Sequence, residues 1–314
     1  MTETTAGAED EVSLVATSSD GGRRLDEFLA TALAIGRRAA TRLVTRARVN
    51  GRRAAKGQRL RAGDEVRVQR AATPPSLSDD DALEVVRATE QVLVLAKPAH
   101  LPSVSLRGDG GDSLAARLAA RFPECVAIGR PGESGLVHRL DTGTSGLLLA
   151  ARTPEAYAAL RAQFRGHAVG KEYLALVAGV LAAPVRIDTP IGQHQHTRRR
   201  MRAVATEAPA RRYAPRPACT DVRPERAFAT ATLVRASTST GIRHQIRVHL
   251  ASIEHPLLND PLYGSHVLDG LDGFLLHATA IDWRDPLSDE LQHDALPPPA
   301  TWQDVLTRLD GRAS

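Results

Sequence analysis

The side chains best placed to do chemistry lie in residues 135–146, which read Gly-Leu-Val-His-Arg-Leu-Asp-Thr-Gly-Thr-Ser-Gly. His138, Arg139 and Asp141 fall within four residues; Gly143, Thr144, Ser145 and Gly146 follow, just ahead of the apolar run Leu147–Ala151. Glycine tolerates positive φ and lets another backbone approach closely, so this spacing suits a loop that presents the Asp141 carboxylate beside something large. The same residues also fit an Asp-Thr-Gly turn that only caps the strand after it. Spacing alone leaves both readings open.

The elements that must position this loop can be read from periodicity. Residues 1–21 hold Glu3, Glu9, Asp10, Glu11 and Asp20 with no Lys or Arg and no apolar period, which predicts a disordered acidic tail. In residues 22–70, Leu25, Phe28, Leu29, Ala32 and Leu33 recur at helical spacing, and a second short helix is expected from Arg38 to Arg46. Val49-Asn50-Gly51 is a turn, and Val66-Arg67-Val68 is an alternating strand. Residues 71–81, rich in Pro, Ser and Asp, read as a linker. From 82 to 314 strands are expected near Leu83–Arg87, Val92–Leu95, Leu147–Ala151, Tyr173–Val180 and Phe228–Val234, with helices near Ser113–Arg121 and Pro154–Phe164. The latter helix has Thr153 as its N-cap and Pro154 in its first turn. Residues 202–226 show no period and are expected to form an insertion loop. Strands and helices interleave without a regular βαβ rhythm, so the class is α+β.

Composition narrows the function. The chain has 314 residues, 42% hydrophobic and 25% charged, and no apolar run approaches the roughly 20 residues a bilayer needs. An acidic N-terminus is the opposite of an export leader. Two cysteines, Cys125 and Cys219, make neither a disulfide framework nor a zinc knuckle, so a cytoplasmic setting is expected. The net charge of +5 is unevenly placed: residues 1–21 carry −5, residues 22–70 carry +10, and the remainder is neutral. Of 41 basic residues only Lys56, Lys97 and Lys171 are lysines, which codon usage explains, but codon usage would not cluster arginine in one small module. Neither a G-x-G-x-x-G nor a Walker loop nor an H-E-x-x-H motif is present.

His138-Arg139-Leu140-Asp141 followed by Thr144-Ser145-Gly146 resembles the H-R-L-D-x-x-T-S-G signature of the RluA-type pseudouridine synthases. Lys97-Pro98, Lys171-Glu172-Tyr173, His244-Gln245-Ile246-Arg247-Val248-His249, Asp260-Pro261-Leu262-Tyr263-Gly264 and Leu276-His277-Ala278 agree with that family in order. Residues 23–69 resemble the small α-L RNA-binding domain named after a ribosomal protein, through Arg24–Leu29, Val49-Asn50-Gly51 and Gly63-Asp64. The resemblance implies a largely antiparallel mixed sheet for residues 82–314. It also implies isomerisation of uridine to pseudouridine within RNA, a reaction that needs no metal and no organic cofactor. The favoured partner is large-subunit ribosomal RNA, with transfer RNA as the other family substrate. No membrane partner is implied, and a monomer is the default.

By the same resemblance Asp141 is the catalytic nucleophile and Arg247 its cationic partner, since a buried ionised carboxylate needs one. Tyr173 is placed against the target base, for packing or for proton transfer. Arg139 fills the space left by a flipped uridine. His138, Leu276, His244 and Gln245 complete the substrate-binding set. Arg38, Arg42, Arg46, Arg52 and Arg53, with Arg199 and Arg200 of a second basic patch, are expected to meet RNA phosphates. The neighbouring His194 and His196 lack a third ligand in sequence, so a metal-dependent hydrolase is a weaker reading. An RNA-binding assembly factor with a vestigial catalytic domain is the stronger alternative. Ile242-Arg243 replaces the family's usual Arg-Thr, His100 stands where glycine is usual after Lys-Pro, and Asp285 stands where histidine is common before Pro286.

Overall fold

The computed structural model describes residues 11–33, 40–69 without 42, 45, 46 and 56, 83–105, 111–204 without 196 and 198, 213–271 without 265, 266, 269 and 270, and 273–311. The chain divides into two compact units, Met1–Asp80 with Ser105–Asp112, and Asp81–Val104 with Ser113–Ser314.

In the first unit, β1 (Glu11–Val15), β2 (Ala47–Val49), β3 (Arg52–Arg53) and β4 (Glu65–Gln69) form an antiparallel sheet in the order β1-β4-β2-β3. Helix α1 (Leu25–Ala32) buries Leu25, Phe28 and Leu29 in a core shared with Ala40, Val49, Leu60, Val66 and Val68. Asn50 and Gly51 both adopt positive φ, 51° and 75°, the geometry of a two-residue hairpin turn whose twist matches the strands it joins. The Asn50 amide fixes that turn, donating to Asp64 Oδ1 at 2.8 Å and accepting from the Glu65 N–H at 2.9 Å.

Residues 11–21 do not behave as the disordered tail read from the sequence. β1 pairs along its length with β4, Ala16 is buried, and the Asp20 carboxylate accepts hydrogen bonds from the Thr17 backbone and hydroxyl. The alternation that builds β1, Val12 and Leu14 against Ser13, is only one strand long and sits in an acidic context that conceals it. Arg52 and Arg53 are exposed on the edge strand β3, whereas Arg38, Arg42 and Arg46 lie outside the described residues.

The second unit is built on β5 (Glu84–Ala88), β6 (Val92–Lys97), β7 (Ser145–Ala151), β8 (Gly170–Ala178) and β9 (Val185–Ile187). A separate hairpin, β10 (Ile191–Gln193) and β11 (Met201–Ala203), precedes β12 (Thr220–Ala227), β13 (Ala231–Thr238), β14 (Leu276–Arg284) and β15 (Leu291–Ala295). The main sheet runs β5-β6-β7-β14-β8-β13-β12-β9, with β15 paired to β14. All its pairings are antiparallel except β7 with β14.

Among the described residues four helices cover this sheet: α2 (Leu114–Arg121), α3 (Pro154–Arg165), α4 (Gln245–Ser252) and α5 (Thr301–Asp310). Because side chains alternate along a strand, successive residues serve opposite faces. Val92, Val94, Leu147 and Leu149 pack with Ala156 and Leu160 of α3, while Leu93, Leu95 and Leu148 pack with Leu114 and Leu118 of α2. In β8, Tyr173, Ala175 and Val177 meet Ile246 and Leu250 of α4, whereas Leu174 and Leu176 meet Trp302 and Val305 of α5. α3 begins as expected, with the Thr153 hydroxyl accepting from the Ala156 N–H and Pro154 in the first turn.

Two expectations are corrected. Within 202–226, read as an insertion loop, Thr220–Ala227 form β12, and 202–203 belong to β11. Only Thr220 and Val222 face inward before the register shifts between Pro224 and Arg226, so proline and arginine mask a short alternation. The strand expected at Phe228–Val234 starts instead at Ala231, because Phe228 closes the β12–β13 hairpin by donating its N–H to the Ala231 carbonyl.

Candidate active site

The loop before β7 closes a turn and directs its carboxylate to α4. The Thr144 N–H donates to the Asp141 carbonyl, closing a turn, and the Asp141 side chain, about a quarter exposed (24%), projects to Arg247. Its glycines answer to sterics. A Cβ on Gly146, whose φ is 113°, would run into the Ala278 backbone of β14 at the point where that strand pairs in parallel with β7. A Cβ on Gly143 would stand 2.8 Å from the Phe274 ring.

The residues on either side of Asp141 are held by their backbones. The Ser103 hydroxyl donates to the Leu140 carbonyl at 2.9 Å and accepts from the Leu140 N–H at 3.0 Å. The buried Lys97 ammonium donates to the carbonyls of Pro98, Leu101 and Thr142 at 2.8, 2.7 and 3.2 Å. Burial pulls Lys97 down to about 7, and the nearby Asp141 carboxylate opposes that pull. Three carbonyls occupy all three ammonium hydrogens, and we read the charged form as the one the loop is built around.

Arg247, on α4, is the centre of the charge arrangement. Its Nη1 donates to Asp141 Oδ2 at 2.9 Å, while Nε and Nη2 donate to the two oxygens of the buried Asp260 at 2.7 and 2.8 Å. Asp260 is itself fixed, accepting from the Leu262 and Tyr263 N–H groups at 2.9 and 3.2 Å. The guanidinium lies 4.5 Å from the Phe274 ring centroid and 5.2 Å from that of Tyr263. Arg247 is therefore no exposed helix arginine: it is 5% exposed, and its pKa is raised, Asp260 and then Asp141 outweighing the cost of burial. Two carboxylates and two cations, counting Lys97, balance in this interior.

The structure sorts the other sequence candidates. Tyr173 and Leu276 lie on one face of the sheet in the cluster that also holds Ile246, Phe274 and Ala278. The Tyr173 hydroxyl has no hydrogen-bond partner among the described residues, and burial followed by the Asp141 charge raises its pKa. Arg139 is exposed and makes no ion pair among the described residues. His244, the left-handed residue ahead of α4 (φ 58°), brings Nε2 to 3.8 Å from Asp141 Oδ1 and Nδ1 to 2.8 Å from the Tyr263 hydroxyl. Burial draws it down to about 4 against the pull of Asp141, so it is neutral at physiological pH.

Two of the expected substrate-binding residues are engaged in holding the fold together. His138 Nε2 accepts the Leu149 N–H at 3.0 Å and its ring stacks on Phe164 at 4.6 Å; burial draws its pKa down to about 3. A neutral imidazole whose acceptor nitrogen is occupied has no charge to offer a phosphate. Gln245 is buried and fully engaged: it accepts from the Thr240 hydroxyl and the Ile242 N–H, and its two amide hydrogens are shared among the Cys219 carbonyl and the Thr220 and Thr238 hydroxyls. It ties the start of α4 to β12 and β13.

The second basic patch does reach the site. Arg200 lies over the Tyr263 ring at 5.5 Å, the Tyr263 hydroxyl accepts the Met201 N–H at 2.7 Å, and Arg243 donates to the Arg199 carbonyl at 2.7 Å. His194 lies in the same hairpin loop; its partner in the metal reading, His196, is outside the described residues. His100 adopts a φ of 66°, the backbone for which glycine is the natural choice, and its ring lies against Gly273. The sequence by itself assigns no role to Asp260, Tyr263, Ser103 or Phe274. Asp260 and Tyr263 stand in a recognised motif, but only the fold shows that this motif faces Arg247.

Comparison with known proteins follows the same lines. Residues 91–252 match the model of the RNA pseudouridylate synthase family. Ribosomal large subunit pseudouridine synthase D of Xanthomonas campestris is 33% identical over 265 residues, 80% of this chain and 77% of that protein. Ribosomal large subunit pseudouridine synthase C of Escherichia coli is 32% identical, across 91% of this chain and 93% of that protein. Among solved structures, human RNA pseudouridylate synthase domain containing 1 shares the fold, with a TM-score of 0.57 and 24% identity over 76% of this chain and 97% of that one. The family match and the named relatives thus define an RNA-modifying isomerase. The chain belongs to the RNA pseudouridylate synthase family, and within it to the RluA-type enzymes.

Proposed function

We propose that this enzyme converts uridine to pseudouridine in large-subunit ribosomal RNA, with Asp141 as its nucleophile. The observation that carries the role of Asp141 is the 2.9 Å bond from Arg247 Nη1 to one carboxylate oxygen, which fixes the side chain while the other oxygen remains available to a substrate. The choice of RNA is supported by relatives along most of the chain that are named for the large ribosomal subunit.

In this reading the RNA strand crosses Arg139, whose free guanidinium takes the space of the extruded uridine. The uracil enters between Tyr173 and Leu276, the polar tip of the tyrosine toward Asp141. The carboxylate bonds to the uridine, the bond from uracil nitrogen to ribose breaks, the base turns, a ring carbon bonds to the sugar, and the bond to Asp141 breaks to free the carboxylate. In the last step the ring carbon gives up its proton and the freed ring nitrogen takes one up; the Tyr173 hydroxyl, kept protonated by burial, can relay that proton but not hold it. Arg247 keeps the carboxylate in one orientation throughout, as a guanidinium held on three sides can. Arg52 and Arg53, with Arg199 and Arg200, meet RNA phosphates. Residues 22–70 act as an RNA-binding module and residues from 82 onward as the catalytic unit, and the protein works as a cytoplasmic monomer.

The test is a map of pseudouridines in total RNA from a deletion strain, with the wild-type gene or Asp141→Asn restored. A large-subunit site should vanish on deletion, return with the wild type, and stay absent with Asp141→Asn while the variant still binds RNA. Loss of a transfer RNA site instead would move the substrate. A site restored by Asp141→Asn would remove Asp141 from the chemistry and favour the assembly-factor reading.

A further inference from the structure

Away from Asp141, the loop Ala127–Arg130 and one stripe of α3 enclose a cleft of about 530 Å³. Its walls carry Arg130, Tyr157, Arg161 and Arg165, the last three spaced along one side of the helix at positions one turn apart. Gly129, at a φ of 84°, brings the loop so close to the Tyr157 ring that a Cβ there would stand 2.9 Å from it. The ring is therefore a wall of the cleft rather than a free stacking surface.

The charges of this cleft are unequal. Arg130 and Arg165 are exposed, and their guanidinium groups make no hydrogen bond or ion pair among the described residues. The acid at its rim, Glu133, is already in use: it accepts from the Tyr157 hydroxyl at 3.2 Å and the Arg130 N–H at 3.3 Å. Arg186, Arg223, Arg226 and Arg284 of this unit, by contrast, have Asp221, Glu225, Asp310 and Asp289 beside them. Arg161 joins the cleft to the reaction loop, donating to the Val137 carbonyl at 2.7 Å. Val137 is two residues from Arg139 and four from Asp141, a reach of at most ~14 Å along extended chain.

We propose that this cleft is a second RNA contact, in which Arg130 and Arg165 seat backbone phosphates of the strand flanking the target uridine. A free guanidinium fork suits a phosphate, and a strand presenting its base to Asp141 past Arg139 runs within reach. Such contacts position RNA without reading its sequence, so they govern affinity and not the choice of uridine. The inference rests on the enzyme acting on RNA, and is indifferent to which RNA that is.

The experiment compares the full chain with the double variant Arg130→Ala/Arg165→Ala, and with the corresponding double lysine variant. Binding of a structured RNA is measured across a salt series, and turnover on an RNA that the wild type modifies. In the alanine variant two phosphates go unneutralised, so the slope of log K against log salt becomes shallower by about 2 and KM rises about tenfold, while kcat holds. Lysine, which keeps the charge, restores the slope. An unchanged slope and KM would overturn the proposal, as would a fall in kcat at constant KM, which would mark an effect on the loop through Val137. If RNA binding is unaltered but polyglutamate binds the wild type and not the alanine variant, the cleft serves an acidic protein and the proposal fails. Because the binding arm accepts any structured RNA, it reads out even if large-subunit RNA proves not to be the substrate.

Discussion

Asp260 grips the guanidinium of Arg247 by two parallel hydrogen bonds of 2.7 and 2.8 Å, and so decides where the remaining nitrogen points: at Asp141, 2.9 Å away. Asp260 is a positioning residue, since it touches neither the loop carboxylate nor the open side of the site. Asp260→Asn keeps the shape but leaves an amide where the guanidinium needs two acceptors. A misplacement of about 1 Å at a reacting group costs on the order of 10²-fold, so kcat should fall by about that factor with RNA affinity retained. Breaking one side of a buried pair also costs about 3–5 kcal/mol of stability, which urea unfolding will show. Wild-type kcat in this variant would mean that Arg247 finds Asp141 unaided.

Tyr173 offers a cleaner separation of packing from chemistry. Its hydroxyl bonds to nothing among the described residues, so Tyr173→Phe removes no internal hydrogen bond and should leave stability within about 0.5 kcal/mol. Any loss of turnover then belongs to the hydroxyl itself. Expected is a fall of about 10²-fold or more in kcat, the usual contribution of a positioned proton-transfer group, with the thermal midpoint unmoved. Full activity in Tyr173→Phe would reduce the residue to a wall of the base pocket.

The acid limb of stability should report on His138. Its folded-state pKa, about 3, lies well below the ordinary histidine value, so the unfolded chain takes up a proton that the folded chain refuses. Stability is unaffected above about pH 6.5 and is lost as pH falls below it. Between about pH 6.5 and 5 the loss attributable to this residue is about 1–2 kcal/mol. In His138→Gln, where the amide oxygen can still accept the Leu149 N–H, the urea midpoint should fall less steeply over that range. Parallel curves for the two proteins would show that His138 does not carry the acid sensitivity.

Legibility in the sequence follows the kind of signal each element gives. α3 is clear because Thr153, Pro154 and Glu155 state its start and its apolar stripe is long. β6 and β7, buried on both faces, read as unbroken apolar runs. β1 and β12 stay hidden because a five-residue alternation among acids, or one interrupted by Pro224, carries too few repeats to stand out. In the site, Asp141 and Arg247 are legible through motifs. What the letters do not say is that Gln245 and His138, in those same motifs, turn toward backbone and hydroxyl partners. Side-chain direction depends on the tertiary pairing of β7, α4 and β12, which no local spacing encodes.

The ordering of residues 11–21 has its own consequence. A chain shortened by residues 1–21 would be harmless if these formed a tail, but it strips β1 from β4 and uncovers the side of the core around Val66 and Val68. Losing an edge strand from so small a unit should lower its stability by at least about 2 kcal/mol and loosen amide exchange in β4. Unaltered protection in β4 would return these residues to the status of a tail.

Gly143 tests whether the aromatic floor under Arg247 matters. Its φ is not in the left-handed region, so alanine adds no backbone strain there; the sole conflict is with Phe274, 2.8 Å from the added methyl. The ring must retreat, and it is the ring that lies 4.5 Å from the Arg247 guanidinium. Overpacking of this kind costs about 1–3 kcal/mol, and displaced support for Arg247 should lower kcat by about tenfold or more. Adding Phe274→Leu makes room for the methyl, so the double variant should recover stability relative to Gly143→Ala but not the full activity, because the cation has lost its aromatic face. Additive effects of the two substitutions would show that Gly143 and Phe274 act independently and that the glycine serves the turn alone.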